Sequence, residues 1–339
     1  AGGAATQTLT TRLIYQRGLW LIDDLSLGDR QAIVSTPAPQ VNSNSGQQQA
    51  PRLAGKLVFQ TSSGGDIYVI NADGTSRRRL TDGLDPAWSP DGTQVALSRW
   101  REPRGVWIVE ADGSGERRIF DWSESRTPAW SPDGSQIAFV RQHGGRLAEV
   151  EKCFWHWCFT LPPDPHWTLG VLHVTDGSLS EPPASNTSLA PTWSPDGGRL
   201  VYHGHQGLMW TDLTDASTGR FETSSGWDTS PVYSPDGATI AFVGRVHTHW
   251  EVFVMNADGS GRQQLTSSGS LDQEARHSVS PAWSPDGKQI AFLSNRGGPW
   301  RIYVMSADGS QQRPMFGAKL DDLGLRYGFA GERVLSWSR

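Results

Sequence analysis

Cysteine is nearly absent. The 339-residue chain has two, Cys153 and Cys158. That excludes a framework of several disulfides and a zinc site of four cysteines. No apolar run approaches the ~20 residues that cross a bilayer as a helix, so a helical membrane span is excluded. A surplus of positive charge is missing too. Thirty Lys and Arg against 35 Asp and Glu leave a net charge of −5, which argues against a nucleic-acid partner. There is no Gly-x-Ser-x-Gly nucleophile turn, no Walker-type loop and no dinucleotide glycine fingerprint. No signal-peptide pattern is visible, and the first residue is Ala1 rather than Met, as expected of a processed or trimmed product. What is plentiful is 38 glycines, 21 prolines and 16 tryptophans. That mix suits short strands joined by tight turns, with large rings filling the space between sheets.

A repeat runs through the chain. "PAWSPDG" occurs at Pro86–Gly92, Pro128–Gly134 and Pro281–Gly287, with the variants "PTWSPDG" at Pro191–Gly197 and "PVYSPDG" at Pro231–Gly237. Each is followed by an alternating run such as "QIAF". A second motif follows most copies: "IYVINADG" at Ile67–Gly74, "VWIVEADG" at Val106–Gly113, "VFVMNADG" at Val252–Gly259 and "IYVMSADG" at Ile302–Gly309. The aromatic positions Trp88, Trp130, Trp193, Tyr233 and Trp283 recur at spacings of 42, 63, 40 and 50 residues. About 40–45 residues with four strands per unit is the period of a β-propeller blade. We name the strands A (PAWS), B (QIAF), C (IYVM) and D (RRLT). Pro-Asp-Gly and Ala-Asp-Gly form the A–B and C–D turns, where proline presets φ and glycine takes the left-handed position.

These motifs resemble the PD40, or WD40-like, repeat of TolB-type propellers over most of residues 56–315. The resemblance implies an all-β propeller and an interaction role in an extracytoplasmic, periplasmic or secreted, setting. The chain reads as a single propeller domain, 1–339. Six nearly whole blades start near residues 50, 84, 127, 189, 229 and 279. Arg12–Ile33 aligns as strands B, C and D, and Tyr327–Ser338 as A and B. Joining the two ends gives a seventh blade and removes exposed sheet edges. Six blades is the alternative.

The A–B and C–D turns ring one face with a monotonous pattern. The B–C and D–A loops on the other face hold the irregularity, and function tends to sit on such loops. They include a flexible inter-blade loop at 35–51, the D–A loop with Glu274, Arg276 and His277, and a B–C insertion at 142–168. Trp100, Trp250 and Trp300 lie in or beside B–C loops with Arg101 close by. Such rings with arginine suit a protein partner, and the rings also suit a glycan. His203, His205, His247 and His249 form two His-x-His pairs, and alternate strand residues share a face. Imidazole binds transition metals. Some propeller lyases of uronic-acid sugars resemble this chain in repeat style and hold a metal with histidines at such a mouth, so that resemblance implies, as an alternative, a divalent metal here in a carbohydrate-active, lyase-like enzyme. The bland reading makes these solvated loop histidines. His143 and His173 add to the histidine count. The turn aspartates Asp91, Asp133, Asp196, Asp236 and Asp286 read as turn formers rather than catalytic groups, and no catalytic residue is assigned.

The insertion contains "CFWHWC" (Cys153–Cys158). The spacing is not the Cys-x-x-Cys of redox centres. A disulfide-closed hairpin fits better, flanked by "RLAEVEKC" and "CFTL", and presents Phe154, Trp155, His156 and Trp157. A closed ring would imply an oxidising compartment. The leading expectation is a non-enzymatic propeller binding a protein or glycan through the B–C/D–A face. Alternatives are the metal enzyme, and a self-assembling subunit or homo-oligomer docked by the hairpin.

Overall fold

The computed structural model describes residues 9–16, 19–27 and 53–339, apart from 123, 147–149, 155–156, 162–163, 268–275 and 329–330. Side chains are described from residue 53 onward, except 143–165. The chain divides into two compact units, residues 1–50 and 51–339. In the first, strands Leu9–Gln16 and Leu19–Leu27 pair as an antiparallel hairpin. The inter-blade loop at 35–51 lies outside the described residues.

The second unit is a propeller of six four-stranded antiparallel sheets. The seven-blade expectation is corrected, and its six-blade alternative holds. Strand A of the first blade is Leu335–Ser338, paired with Lys56–Gln60. The C-terminus thus completes the blade that begins near residue 50, instead of opening a new one. The reason is the aromatic slot. "LSWS" carries Trp337 where other strands A carry Trp, and no ring stands just before Lys56 to fill that slot. The Trp337 indole N–H donates to the Ala54 carbonyl at 2.9 Å.

The core repeats with the sequence. Phe59, Leu97, Phe139, Tyr202, Phe242 and Phe292 occupy one strand B position and are buried throughout. Burying one such side chain contributes roughly 1.5–3 kcal/mol. The strand A rings join neighbouring blades through hydrogen bonds as well as area. Trp130 donates to Ala87 O (3.2 Å), Trp193 to Ala129 O (2.9 Å) and Trp283 to Val232 O (3.1 Å). Each acceptor directly precedes the ring of the adjacent strand A. The turn aspartates are confirmed as turn formers. Asp133, for example, accepts from Ser131 Oγ and from Ser135 N and Oγ, and Ser131 Oγ accepts from Gln136 N.

Every repeated strand A carries a bulge. The register shifts between Leu84 and Ala87, Arg126 and Ala129, Leu189 and Thr192, Thr229 and Val232, and Val279 and Ala282. At each bulge a left-handed residue precedes proline: Asp85, Thr127, Ala190, Ser230 and Ser280, with φ of 49–55°. Proline cannot donate to a ladder, so it belongs at such bulges. The left-handed backbone beside it costs about 1–2 kcal/mol per residue and re-aims the main chain along the central channel.

Candidate functional site at the channel and loop face

The channel is closed from within by the segment that leads into the closing strand. Arg333 extends its guanidinium to Pro128 O (3.1 Å, Nη1) and Pro191 O (2.6 Å, Nη2), carbonyls of two different bulges. Its main-chain N–H donates to Asp85 Oδ1 at 2.9 Å, and Thr127 N donates to Asp85 Oδ2 at 3.1 Å. Asp85 N in turn donates to Gln60 Oε1. One carboxylate thereby ties blades 1, 2 and 3 together. Burial lowers the Arg333 pKa to about 10, and Asp85 opposes that shift.

Beside it, on the B–C/D–A side, Glu332 is fully buried. It accepts from Ser63 Oγ and from Gln60 Nε2. Arg126 lies between the two acids, 3.7 Å from Asp85 Oδ2 and 3.6 Å from Glu332 Oε1. Burial, reinforced by the Asp85 charge, raises the Glu332 pKa to about 7, while Ser63 and Arg126 pull it down. The Tyr327 hydroxyl is buried without a hydrogen-bond partner among the described residues. Burial and the two carboxylates push its pKa well up.

Around this polar plug the loop face repeats one motif, a ring against a cation. Arg126 covers Trp100 (4.8 Å to the ring centroid), Arg141 covers Trp122 (4.7 Å) and Arg245 covers Trp227 (4.6 Å). Arg141 also pairs with Glu181. His277 stacks on Trp300 with centroids 6.2 Å apart, and Trp300 tilts onto Tyr327 at 5.6 Å. Trp227 is 58% exposed, the one large hydrophobic side chain so exposed among the described residues.

Of the sequence-predicted partner-binding residues, Trp100 donates its indole N–H to Ser125 O and is half-buried. Trp250 is also half-buried, and its main-chain N–H donates to His277 Nδ1 at 3.1 Å. Trp300 caps the same histidine, and Arg101 is exposed. Strands Val150–Phe154 and Trp157–Leu161 form the expected hairpin, with Cys153 opposite Cys158 and Phe154 opposite Trp157. Trp155, His156 and Glu274 lie outside the described residues, as do the side chains of Phe154, Trp157, His143 and the two cysteines.

The four histidines read as metal ligands are engaged separately. His203 Nδ1 lies 2.7 Å from Asp228 O, and burial lowers its pKa. His205 Nδ1 lies 3.0 Å from Ser185 Oγ. His247 is exposed in a left-handed turn, where its carbonyl accepts from Arg245 Nε. His249 is buried, with its ring 6.3 Å from that of His277. His277 has its pKa lowered by burial and by His249, against Glu251. Among the described residues no three His, Cys, Asp or Glu side chains are gathered to hold a metal. His173 contacts Gln136, at the Pro-Asp-Gly end of its blade.

Sequence reasoning missed Asp85, Arg126, Tyr327, Glu332 and Arg333, and also Trp122. A signal was present for the first. Asp85 is an acid where the other bulges carry Thr127, Ala190, Ser230 and Ser280.

Residues 179–322 match the family model of the TolB beta propeller domain, PD40. This bears out the repeat resemblance. No curated protein sequence matches significantly. The fold is similar to TolB from Acinetobacter baumannii, with a TM-score of 0.63 at 18% identity over 84% of this chain and 66% of that one. The chain thus spans just under two thirds of that protein's length. It is also similar to a putative TolB from Agrobacterium tumefaciens, with a TM-score of 0.56 at 18% identity over 77% and 88%. A chain of a nidogen/laminin complex shares the fold at a TM-score of 0.55, with 11% identity over 84% and 98%. At these identities the likeness is one of fold.

Proposed function

We propose that the chain is a non-enzymatic binding propeller that engages a protein partner through its B–C/D–A loop face, in an extracytoplasmic compartment. The observation that carries this is Trp227, an exposed indole held flat by Arg245. A large apolar ring kept in water without need of core packing is poised to be covered, and Trp and Arg are the common anchors of protein interfaces. Trp122 against the buried Arg141 and Trp100 against Arg126 repeat the ring–cation contact around the same face, on half-buried rings. The Arg contacts pre-set the ring orientations, which lowers the ordering cost of association. The hairpin at 150–161 belongs to this face, and the register of Cys153 with Cys158 suits the disulfide that would stiffen it. That bond fits an oxidising location, as does the resemblance to TolB proteins. No helix among the described residues is long and apolar enough to cross a membrane.

The test is site-specific photo-crosslinking in native extract. The crosslinker replaces Gly226, beside Trp227, or Arg101 on the loop face, and Thr93 or Ala238 on the Pro-Asp-Gly face. A discrete protein adduct is expected from the first pair alone. Equal yields from both faces, or none from the loop face, would reject the assignment.

A further inference from the structure

The channel on the far side of the Arg333 plug opens at the Pro-Asp-Gly face as a cavity of about 290 Å³. Its walls are the six strand A rings, Trp88, Trp130, Trp193, Tyr233, Trp283 and Trp337, with turn prolines at the rim. Arg333 forms part of the lining, the one cationic side chain in it. A guanidinium carries five N–H donors. Two of the five are used on Pro128 O and Pro191 O. Asp85 meets Arg333 through the main-chain N–H rather than the guanidinium. Among the described residues no carboxylate side chain forms an ion pair with that guanidinium.

We propose that this aromatic funnel is a binding site for a small monocarboxylate with an apolar or aromatic body. The carboxylate would meet the unused N–H edge of Arg333, and the body would lie among the strand A rings. The geometry selects the ligand class. A guanidinium fork matches a carboxylate, and such charge-assisted bonds are strong when held away from bulk water. One cation balances one negative charge, so a phosphate dianion would be left under-neutralised. An amine would be repelled. The indole and proline walls offer area to an apolar body and few polar partners to a sugar. The site is on the opposite face from the proposed protein-binding loops and stands or falls separately from them.

The test compares acids with their neutral amides on the unaltered protein, following tryptophan fluorescence and calorimetry. The probes are phenylacetic acid against phenylacetamide, and a tetrapeptide ending in Phe with a free carboxylate against the same peptide amidated. At least one acid should bind saturably, about tenfold or more tighter than its amide. Binding by the free acid but not the peptide assigns the site to small acids. Binding by the peptide acid extends it to chain ends. Both outcomes uphold the carboxylate site. Arg333→Lys should weaken the acid, and Arg333→Met should erase the difference between acid and amide. If those variants do not fold, the comparison on the unaltered protein decides alone. Equal binding of acids and amides, failure of every acid to saturate at about 10 mM, or undiminished acid binding by folded Arg333→Met would overturn the proposal.

Discussion

Trp193 donates its indole N–H to the main-chain carbonyl of Ala129, 2.9 Å away on the neighbouring blade. Trp88 occupies the same strand A slot and is equally buried, at 6% exposure each, yet its indole nitrogen has no hydrogen-bond partner among the described residues. The two positions separate the area term from the hydrogen-bond term. Trp193→Phe should therefore cost about 1 kcal/mol more than Trp88→Phe, the net value of one buried hydrogen bond. Urea unfolding of the two variants measures the difference, and equal losses would show that the inter-blade bond adds nothing to ring packing.

The Pro-Asp-Gly turns predict an acid limit. Hydrogen bonds from Ser131 and Ser135 hold the Asp133 pKa down at about 2, against an ordinary 3.8. Asp91, Asp196, Asp236 and Asp286 are lowered for the same reason, with the preceding serine hydroxyl as the largest cause. A depressed carboxylate contributes stability that is present above its unfolded pKa and lost as pH falls through the folded one. These groups are exposed, so each contribution is small. Ser131→Ala should cost about 1 kcal/mol at pH 7. The gap from the parent protein should narrow toward pH 2, where Asp133 is half protonated. Melts at pH 7 and pH 2 check both parts, and a gap independent of pH would assign the loss to Gln136 N alone.

Much of the ring was legible because a repeat protein states its rules several times over. "PAWSPDG" fixes a bulge, a ring and a turn in one phrase, and the structure places each of those phrases alike. The closing blade was harder. Leu335–Ser338 carries the strand A ring, Trp337, but the "PAWSPDG" phrase that marks other copies is not written there, which hid the match. The plug was harder still. Asp85 and Arg126 lie 41 residues apart, and Glu332 and Arg333 lie more than 200 residues from both. They meet because six strands A converge on one axis, which no local spacing reports. The His-x-His pairs show a further limit of local spacing. In each pair one histidine lies on a strand and the other in the adjoining turn, with His203 turned to Asp228 O and His205 to Ser185.

Glu332 links ring closure to pH. Its pKa is raised to about 7 by burial and by Asp85. A raised carboxyl pKa means that the folded state holds the proton more tightly than the unfolded chain. Stability is then greatest below the ordinary value of about 4.5 and falls as pH rises through 7. The full effect is on the order of 3 kcal/mol as an upper bound. Arg126, Ser63, Gln60, Asp85 and Tyr327 all face or influence this group, so removing its charge should be better tolerated than removing its side chain. Glu332→Gln should flatten the decline between pH 5.5 and pH 8 and be more stable than the parent at pH 8. Glu332→Ala should be less stable than Glu332→Gln at both. Urea midpoints at the two pH values test this, and an unchanged slope in Glu332→Gln would assign the decline to other groups.

Trp227 separates binding from stability. Its ring is mostly exposed and its support is external, from Arg245 over its face and from Ser225 Oγ accepting its main-chain N–H. Exposed cation–π contact contributes roughly 0.5–1 kcal/mol, and little core packing is lost on truncation. Trp227→Ala should therefore leave folding stability within about 1 kcal/mol of the parent. If the ring anchors a protein partner, the same change should weaken that partner about tenfold or more, the range of an aromatic hot spot. Arg245→Ala should give a smaller loss, because it frees the ring's orientation without removing its area. The partner captured by crosslinking from the loop face provides the ligand for these titrations. A large stability loss in Trp227→Ala would mark the ring as structural, and full affinity in both variants would move the interface elsewhere on the face.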